Sequence, residues 1–314
     1  MTGNDNSSSA RGFFAGAFSG VAKVSTGHPF DTIKVRLQTT EMSRFNGPWS
    51  CLRQTLSQEG MRGLYKGFTP PLAGFVVMDS LLLGSFSMYR DFLNRSLNLR
   101  SPRNTGEDRH TIPANRSSVM VSFLSGGLAG WTVSFIAAPI EHVKARLQVQ
   151  YHTKIYSGPI DCVRKIYRDH GVYGVYRGLP ATIIFRSFFA VFWASYDVFN
   201  RRMQVSTDLS LPLINFMAAG VAAQLYWLTG YPTDVIKQRV MTEPLGIRGS
   251  HHRTRWIGIA NKIYQESGWK GFWRGFVPCF LRAFPANAMS IMTFEAVMRA
   301  TARKEHLKNF DEEN

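Results

Sequence analysis

A chain of 314 residues with 37 Lys and Arg against 21 Asp and Glu, a formal net charge of +16, calls for an anionic partner, either nucleic acid or an anionic membrane surface. With 27 Gly, 12 Met, 23 Phe and 7 Trp and only 18% charged residues, the chain is too apolar for a basic nucleic-acid arm, and no zinc-ligand spacing or RNA-binding signature appears, so the membrane is the better reading. A mean hydropathy of −0.12 excludes a set of uniformly apolar spans and leaves helices whose polar groups face protein or water.

Residues 1–10 are polar, contain an acid and lack an apolar stretch, so no secretory signal is read there. A first helix is predicted over 10–39. It opens Gly12-Phe-Phe-Ala-Gly16-Ala-Phe-Ser-Gly20, a small-residue spacing that lets membrane helices approach closely, and it carries Pro29-Phe-Asp31-Thr-Ile-Lys34-Val-Arg36-Leu-Gln38. Proline removes one helical hydrogen bond, so a bend is expected there. Phe45-Asn-Gly47 then precedes an amphipathic segment at 48–58, expected to lie along the membrane surface, which leads through Glu59-Gly60 to Tyr65-Lys66-Gly67 and a second helix over 69–95. Residues 96–116 are polar, with Pro102, Gly106 and Pro113, and read as a loop.

The same order of landmarks then returns. A third helix over 117–150 holds Gly126-Gly-Leu-Ala-Gly130 and Pro139-Ile-Glu141-His-Val-Lys144-Ala-Arg146-Leu-Gln148. After it come Tyr156-Ser-Gly158, a surface segment at 159–169, Asp169-His-Gly171, Tyr176-Arg177-Gly178 and a fourth helix over 179–203. The fifth helix, 210–241, has Gly220 followed by Gln224, a looser or polar contact, and carries Pro232-Thr-Asp234-Val-Ile-Lys237-Gln-Arg239. Trp256-Ile-Gly258, a segment at 257–267, Glu266-Ser-Gly268 and Trp273-Arg274-Gly275 lead to a sixth helix over 276–303 and a charged tail. The chain is therefore a triplicate of a unit of roughly 100 residues, with repeats at 8–98, 116–207 and 209–304.

In each repeat an acid and a base stand three apart, neighbours on one helical face. They can pair within their helix. Three copies at the bends of three related helices instead favour a ring, Asp31 with Lys144, Glu141 with Lys237 and Asp234 with Lys34, that plugs a pore on one side. Water-facing pairs are worth about 0–1 kcal/mol each, so such a latch yields to substrate. Gln38 and Gln148, one turn further on, are placed to brace it, and Met241 stands at the third position.

The triplicated Pro-x-(Asp/Glu)-x-x-Lys-x-Arg signature, covering nearly all of residues 10–303, resembles the mitochondrial carrier family. The resemblance implies an all-α membrane protein of six transmembrane helices in three pseudo-threefold repeats, with short matrix-side surface helices. It also implies a multi-pass, monomeric carrier of the mitochondrial inner membrane that works by alternating access on a small-molecule substrate. The family's second gate is degenerate here: Phe86-Ser87-Met-Tyr-Arg90 lacks the acid, while Tyr196-Asp197-Val-Phe-Asn200 and Phe294-Glu295-Ala-Val-Met298 lack the base. A weak cytosolic gate follows, with Arg90 and Glu295 as its one bridge and Asp197 left over.

Bound cardiolipin is implied too, held at Gly67, Gly178 and Gly275, which open the even helices, and at Gly47, Gly158 and Gly258, which open the surface helices; helix N-terminal amides favour phosphate. No other cofactor is expected. The family's contact positions fall on Gly74 and Phe75, on Phe185 and Arg186, and on Arg282, with Asp79, Phe189 and Trp193 on compatible faces. Arg186 and Arg282 suit a carboxylate, Asp79 an ammonium group, and Trp193 offers a cation-π face. A zwitterion or cation such as an amino acid, a basic amino acid or a carnitine-like betaine fits both signs. The string Arg282-Ala-Phe-Pro-Ala-Asn287-Ala resembles the carnitine/acylcarnitine and ornithine branch, whereas Phe185 before Arg186 departs from it. A dicarboxylate or keto acid exchanger is the alternative, with Asp79 a packing residue.

No catalytic set or metal site is visible, so an enzyme is not expected. His28, His142 and His170 have no evident chemical role, His251-His252 reads as solvated, and Cys51, Cys162 and Cys279 read as reduced thiols.

Overall fold

The computed structural model describes residues 3–40, 44–97, 116–151, 155–244 and 256–312. These form α-helices without strands: α1 (Gly3–Thr39), α2 (Pro48–Leu64), α3 (Thr69–Ser96), α4 (Arg116–Gln148), α5 (Pro159–Val175), α6 (Leu179–Arg186), α7 (Phe189–Ser206), α8 (Leu211–Thr242), α9 (Trp256–Gly271) and α10 (Phe276–Glu312). Each repeat contributes a long helix, a surface helix and a second long segment, as the sequence pattern requires. Of the loop expected at 96–116, residues 98–115 lie outside the described residues, as do His251-His252, while Ser96 and Arg116 belong to α3 and α4.

The prolines Pro29, Pro139 and Pro232 sit inside α1, α4 and α8, each of which continues about two to three turns beyond. By length and composition, Ser118–Gln148 and Leu179–Ser206 are long and apolar enough to cross a membrane. The fourth predicted helix is divided at Ser187 and Phe188. Both keep right-handed torsions, with φ −58° and −68°. Phe188 N–H tightens onto Phe185 O at 3.2 Å, a short-period bond that loosens the ladder just past Arg186.

The surface segments run further than their amphipathic pattern suggests, because each continues across a glycine in a conformation closed to other residues. Gly60 (φ 65°, ψ −166°), Gly171 (φ 63°, ψ −159°) and Gly268 (φ 58°, ψ −153°) break α2, α5 and α9 at the same point.

The chain divides into two compact units, Met1–Val76 with Val143–Cys162 and Arg274–Asn314, and Val77–His142 with Val163–Trp273. In the first, α1 packs along α10 and against α2, around a cluster of Ile33, Leu37, Phe45, Cys51 and Leu64. A fully buried Leu, Ile or Phe contributes about 1.5–3 kcal/mol. In the second, α8 packs on α6, α7 and α9.

All three cysteines are buried free thiols. Burial pushes the Cys51 thiol up to about 11 despite nearby Arg36.

The small-residue spacing has two outcomes. In α4 a Cβ on Gly130 would stand 2.2 Å from Arg186 O, and one on Gly126 2.6 Å from Phe189 O, so this stripe does admit a neighbouring backbone. In α1 a Cβ on Gly16 would meet nothing within 4 Å, so the close approach expected there is not made at that position. Gly220 is likewise open, in keeping with its looser expected contact.

Candidate functional site

The Pro-x-acid-x-x-base segments place their acids two residues past the prolines, and Asp31 and Glu141 meet bases from other helices. In the first unit Lys144 Nζ donates to Asp31 Oδ2 at 2.7 Å, the pairing between repeats that the ring arrangement requires. Arg282 Nε stands 3.4 Å from Asp31 Oδ1. Gly27, one turn before Asp31, makes room for it: a Cβ there would lie 3.3 Å from Arg282 Cδ. Sequence reasoning passed over Gly27, although its i, i+4 relation to Asp31 was visible.

In the second unit Glu141 takes two cations. Lys237 Nζ donates to Oε2 at 3.0 Å and Arg186 Nη2 to Oε1 at 2.6 Å. Lys237 also lies 2.9 Å from Asp234 Oδ1 on its own helix and 4.1 Å over the Phe185 ring. Lys237 and Asp234 side chains are 3% and 1% exposed, against 18% and 19% for Lys144 and Asp31. The expectation of three water-facing pairs of equal weakness therefore fails at Lys237, whose ammonium lies buried under the Phe185 ring. Lys34 and Asp234 belong to different units, and their pairing stays a proposal.

The predicted braces are buried. Gln148 donates its amide to Thr32 Oγ1 at 3.0 Å, beside Asp31, and Thr32 in turn donates to Leu64 O at 2.7 Å. Gln38 is fully buried. Met241, in the third repeat's position, fills the space against Gly178, where a Cβ would lie 2.6 Å from its Cε.

A second layer of charge escaped the sequence reading. Arg36 forks onto Glu59, Nη1 to Oε1 at 2.7 Å and Nη2 to Oε2 at 2.9 Å, and donates Nε–H to Gln148 O at 3.1 Å. Lys66 also pairs with Glu59. Arg239 repeats this with Glu266 at 2.6 Å. The signal was present, since the second base of the signature and the acid before the surface-helix glycine recur together. His28 and His142 are likewise not idle: each is buried and donates to a carbonyl near an aromatic-base-glycine turn, Lys66 O and Val175 O, both at 3.0 Å.

Burial alone would raise the Glu59 carboxyl, but hydrogen bonds from Arg36 and Lys66 outweigh it and hold it below the ordinary glutamate range. A depressed folded value adds stability that is complete above the unfolded pKa of about 4.3 and lost as pH falls through the folded one. Unfolding of the detergent-purified protein should show this acid-side dependence, and Glu59→Gln should reduce it, with lower stability at pH 7.

The remaining predicted substrate residues are mostly engaged. Phe185 is 5% exposed and packs against Tyr226 and Trp227 at 5.5 and 5.9 Å between centroids. Trp193 stacks on Phe86 at 3.8 Å and 12°. Gly74 is buried, Asp79 is exposed, and the Asp79 charge acts on Arg186. Of the residues expected at the second gate, Asp197 pairs with Arg201 at 3.0 Å, Glu295 with Arg299 at 3.0 Å, and Arg90 lies 6.0 Å from the Phe86 ring. Arg90 and Glu295 fall in different units, so their bridge also stays a proposal.

Of the six glycines expected at lipid phosphate, Gly67 and Gly158 line one cleft of about 470 Å³ with Lys66, Phe68, Tyr151 and Ser157, where the starts of α3 and α5 converge. Gly67 and Gly275 take φ 74° and 84°, while Gly178 is right-handed at −81°. A Cβ at Gly47, Gly158 or Gly258 would meet open space.

The family model for mitochondrial carrier proteins matches residues 5–97, 115–207 and 210–305. The chain is 39% identical over 291 residues to mitochondrial substrate carrier family protein L of Dictyostelium discoideum, covering 92% of this chain and 95% of that protein. It is 34% identical to the mitochondrial basic amino acids transporter of Bos taurus, covering 91% and 90%. It is 32% identical to the mitochondrial carnitine/acylcarnitine carrier protein of Mus musculus, covering 92% and 93%.

Proposed function

The chain belongs to the mitochondrial carrier family, and from that premise we propose that it moves a small metabolite bearing both a carboxylate and a cationic end, such as an amino acid, a basic amino acid or a carnitine-like betaine, by alternating access. As a family member it is a multi-pass transporter of the mitochondrial inner membrane that carries a small molecule, and it is not an enzyme.

The observation that carries the substrate class is the 2.6 Å contact of Arg186 with Glu141, echoed by Arg282 beside Asp31. Each arginine at a contact position lies on a gate acid. A substrate carboxylate, matched to the guanidinium fork, competes with those acids. Once Arg186 and Arg282 turn to substrate, Glu141 keeps Lys237 and Asp31 keeps Lys144, so loading weakens both clusters. Asp79, exposed and acting on Arg186 through charge, is the counterpart for an ammonium end. Phe185 and Gly74 form apolar walls, and Trp193 serves the cation where its stack on Phe86 opens. The names of the basic amino acid and carnitine carriers similar to this chain support the same class.

The ring of Asp31 with Lys144, Glu141 with Lys237 and Asp234 with Lys34, braced by Gln38 and Gln148, is the matrix gate of this reading, and Arg90 with Glu295 the cytosolic one. The cleft at Gly67 and Gly158 supports a bound cardiolipin, and a monomer suffices for all of it.

Uptake into liposomes, screened over amino acids, carnitine and dicarboxylates, tests the substrate class. Asp79→Asn is expected to cut uptake of cation-bearing substrates about tenfold, the worth of one charged contact. Unchanged uptake, or exchange confined to dicarboxylates, would overturn the zwitterion reading in favour of an anion exchanger.

A further inference from the structure

The base in each aromatic-base-glycine turn faces protein. Lys66 Nζ donates to Gln150 O at 2.5 Å, just past the end of α4, and lies 3.5 Å from Tyr151 O. Arg177 Nη1 donates to Pro244 O at 3.1 Å and Nη2 to Glu243 Oε2 at 3.2 Å, just past the end of α8. Arg274 Nη1 donates to Thr40 O at 2.6 Å, just past the end of α1, and Nη2 to Phe45 O at 3.2 Å. The order is cyclic: repeat one reaches repeat two, two reaches three, and three reaches one.

The last carbonyls of a helix lack intrahelical partners and carry partial negative charge, which makes that end a cation's place. An adventitious surface contact would not recur in all three repeats between the turn's base and the residues just past the end of a gate-bearing helix. The helices capped in this way, α1, α4 and α8, are the three that bear the gate acids and bases. From Lys144 to Gln150 is six residues, roughly 9 Å of helix rise, so the cap sits close behind the gate.

We propose that Lys66, Arg177 and Arg274 are inter-repeat clasps: positioning residues that tie the end of each gate-bearing helix to the turn opening the preceding repeat's second long segment, and not ligands of a lipid phosphate. Lys66 borders the cleft at Gly67 and Gly158, but its ammonium is engaged by Gln150 O and Glu59. Phosphate there is left to backbone amides. A clasp fixes where the gate-bearing helix pivots, so its loss misplaces the gate without touching substrate.

The test compares Lys66→Ala, Arg177→Ala and Arg274→Ala of the full chain in proteoliposomes, with transport scaled to folded protein, and in detergent, with thermal unfolding followed with and without added cardiolipin. Expected is a roughly tenfold fall in rate for each variant, with KM little changed and the stabilisation by cardiolipin equal to that of the parent. Lys66→Arg and Arg274→Lys should recover most of the rate, and they carry the comparison should the alanine variants not fold. Loss of the cardiolipin increment in these variants would make the bases lipid ligands, and unchanged rates would make the contacts inert; either result overturns the proposal.

Discussion

Lys237→Ala is expected to destabilise the folded protein by about 3–5 kcal/mol and to abolish transport, whereas Lys144→Ala should cost clearly less. Lys237 is the shared cation of Glu141 and Asp234, and it is 3% exposed. Removing it takes a cation 2.9 Å away from the Asp234 carboxylate, which is 1% exposed, and breaking so buried a pair is costly. Glu141 keeps Arg186. Asp31 in the Lys144 variant keeps Arg282 at 3.4 Å and stays more open to water, so screening and a second cation both soften the loss. Thermal unfolding of the two variants in detergent, beside Lys237→Arg as the charge-retaining control, measures the difference. Equal losses for Lys237→Ala and Lys144→Ala would show that burial of the second cluster does not set its strength.

How much of this was legible in the chain depends on the range over which each feature is specified. Pro29, Pro139 and Pro232 with their following acids and bases are local and threefold, so repeats, long helices and the Asp31–Lys144 and Glu141–Lys237 pairings could be read directly. The engagement of Arg186 with Glu141 could not, because nothing near either residue marks a partner 45 positions away. Phe185 and Trp193 read from the chain as contact residues, yet their aromatic surfaces are taken by Tyr226, Trp227 and Phe86, neighbours that only packing supplies. The dryness of Lys237 is of the same kind. Glu59 and Glu266 lay in plain view as repeated landmarks, and what was missing was the recognition that Arg36 and Arg239 recur in step with them.

The glycines show most directly why equal spacing in sequence does not mean equal packing. Gly16 and Gly130 both sit in four-residue steps of small residues upstream of the proline of a gate-bearing helix, but of the two only Gly130 has a backbone against it. Gly130→Ala places a methyl 2.2 Å from the Arg186 carbonyl, a contact that no rotamer change relieves. Overpacking of this sort costs about 1–3 kcal/mol where a side chain can yield, and here the obstacle is main chain. The displaced segment is the one that aims Arg186 at Glu141, so transport should fall even where the protein still folds, and restoring volume elsewhere should not rescue it. Gly16→Ala meets nothing within 4 Å, and inside α1 it should gain up to about 1 kcal/mol of helix propensity with uptake unchanged. Parallel measurement of unfolding and of liposome uptake for the two variants separates packing from spacing: a tolerated alanine at Gly130 would mean that α4 can move off the Arg186 carbonyl, and the geometry that brings Arg186 onto its gate acid would then not depend on that close approach.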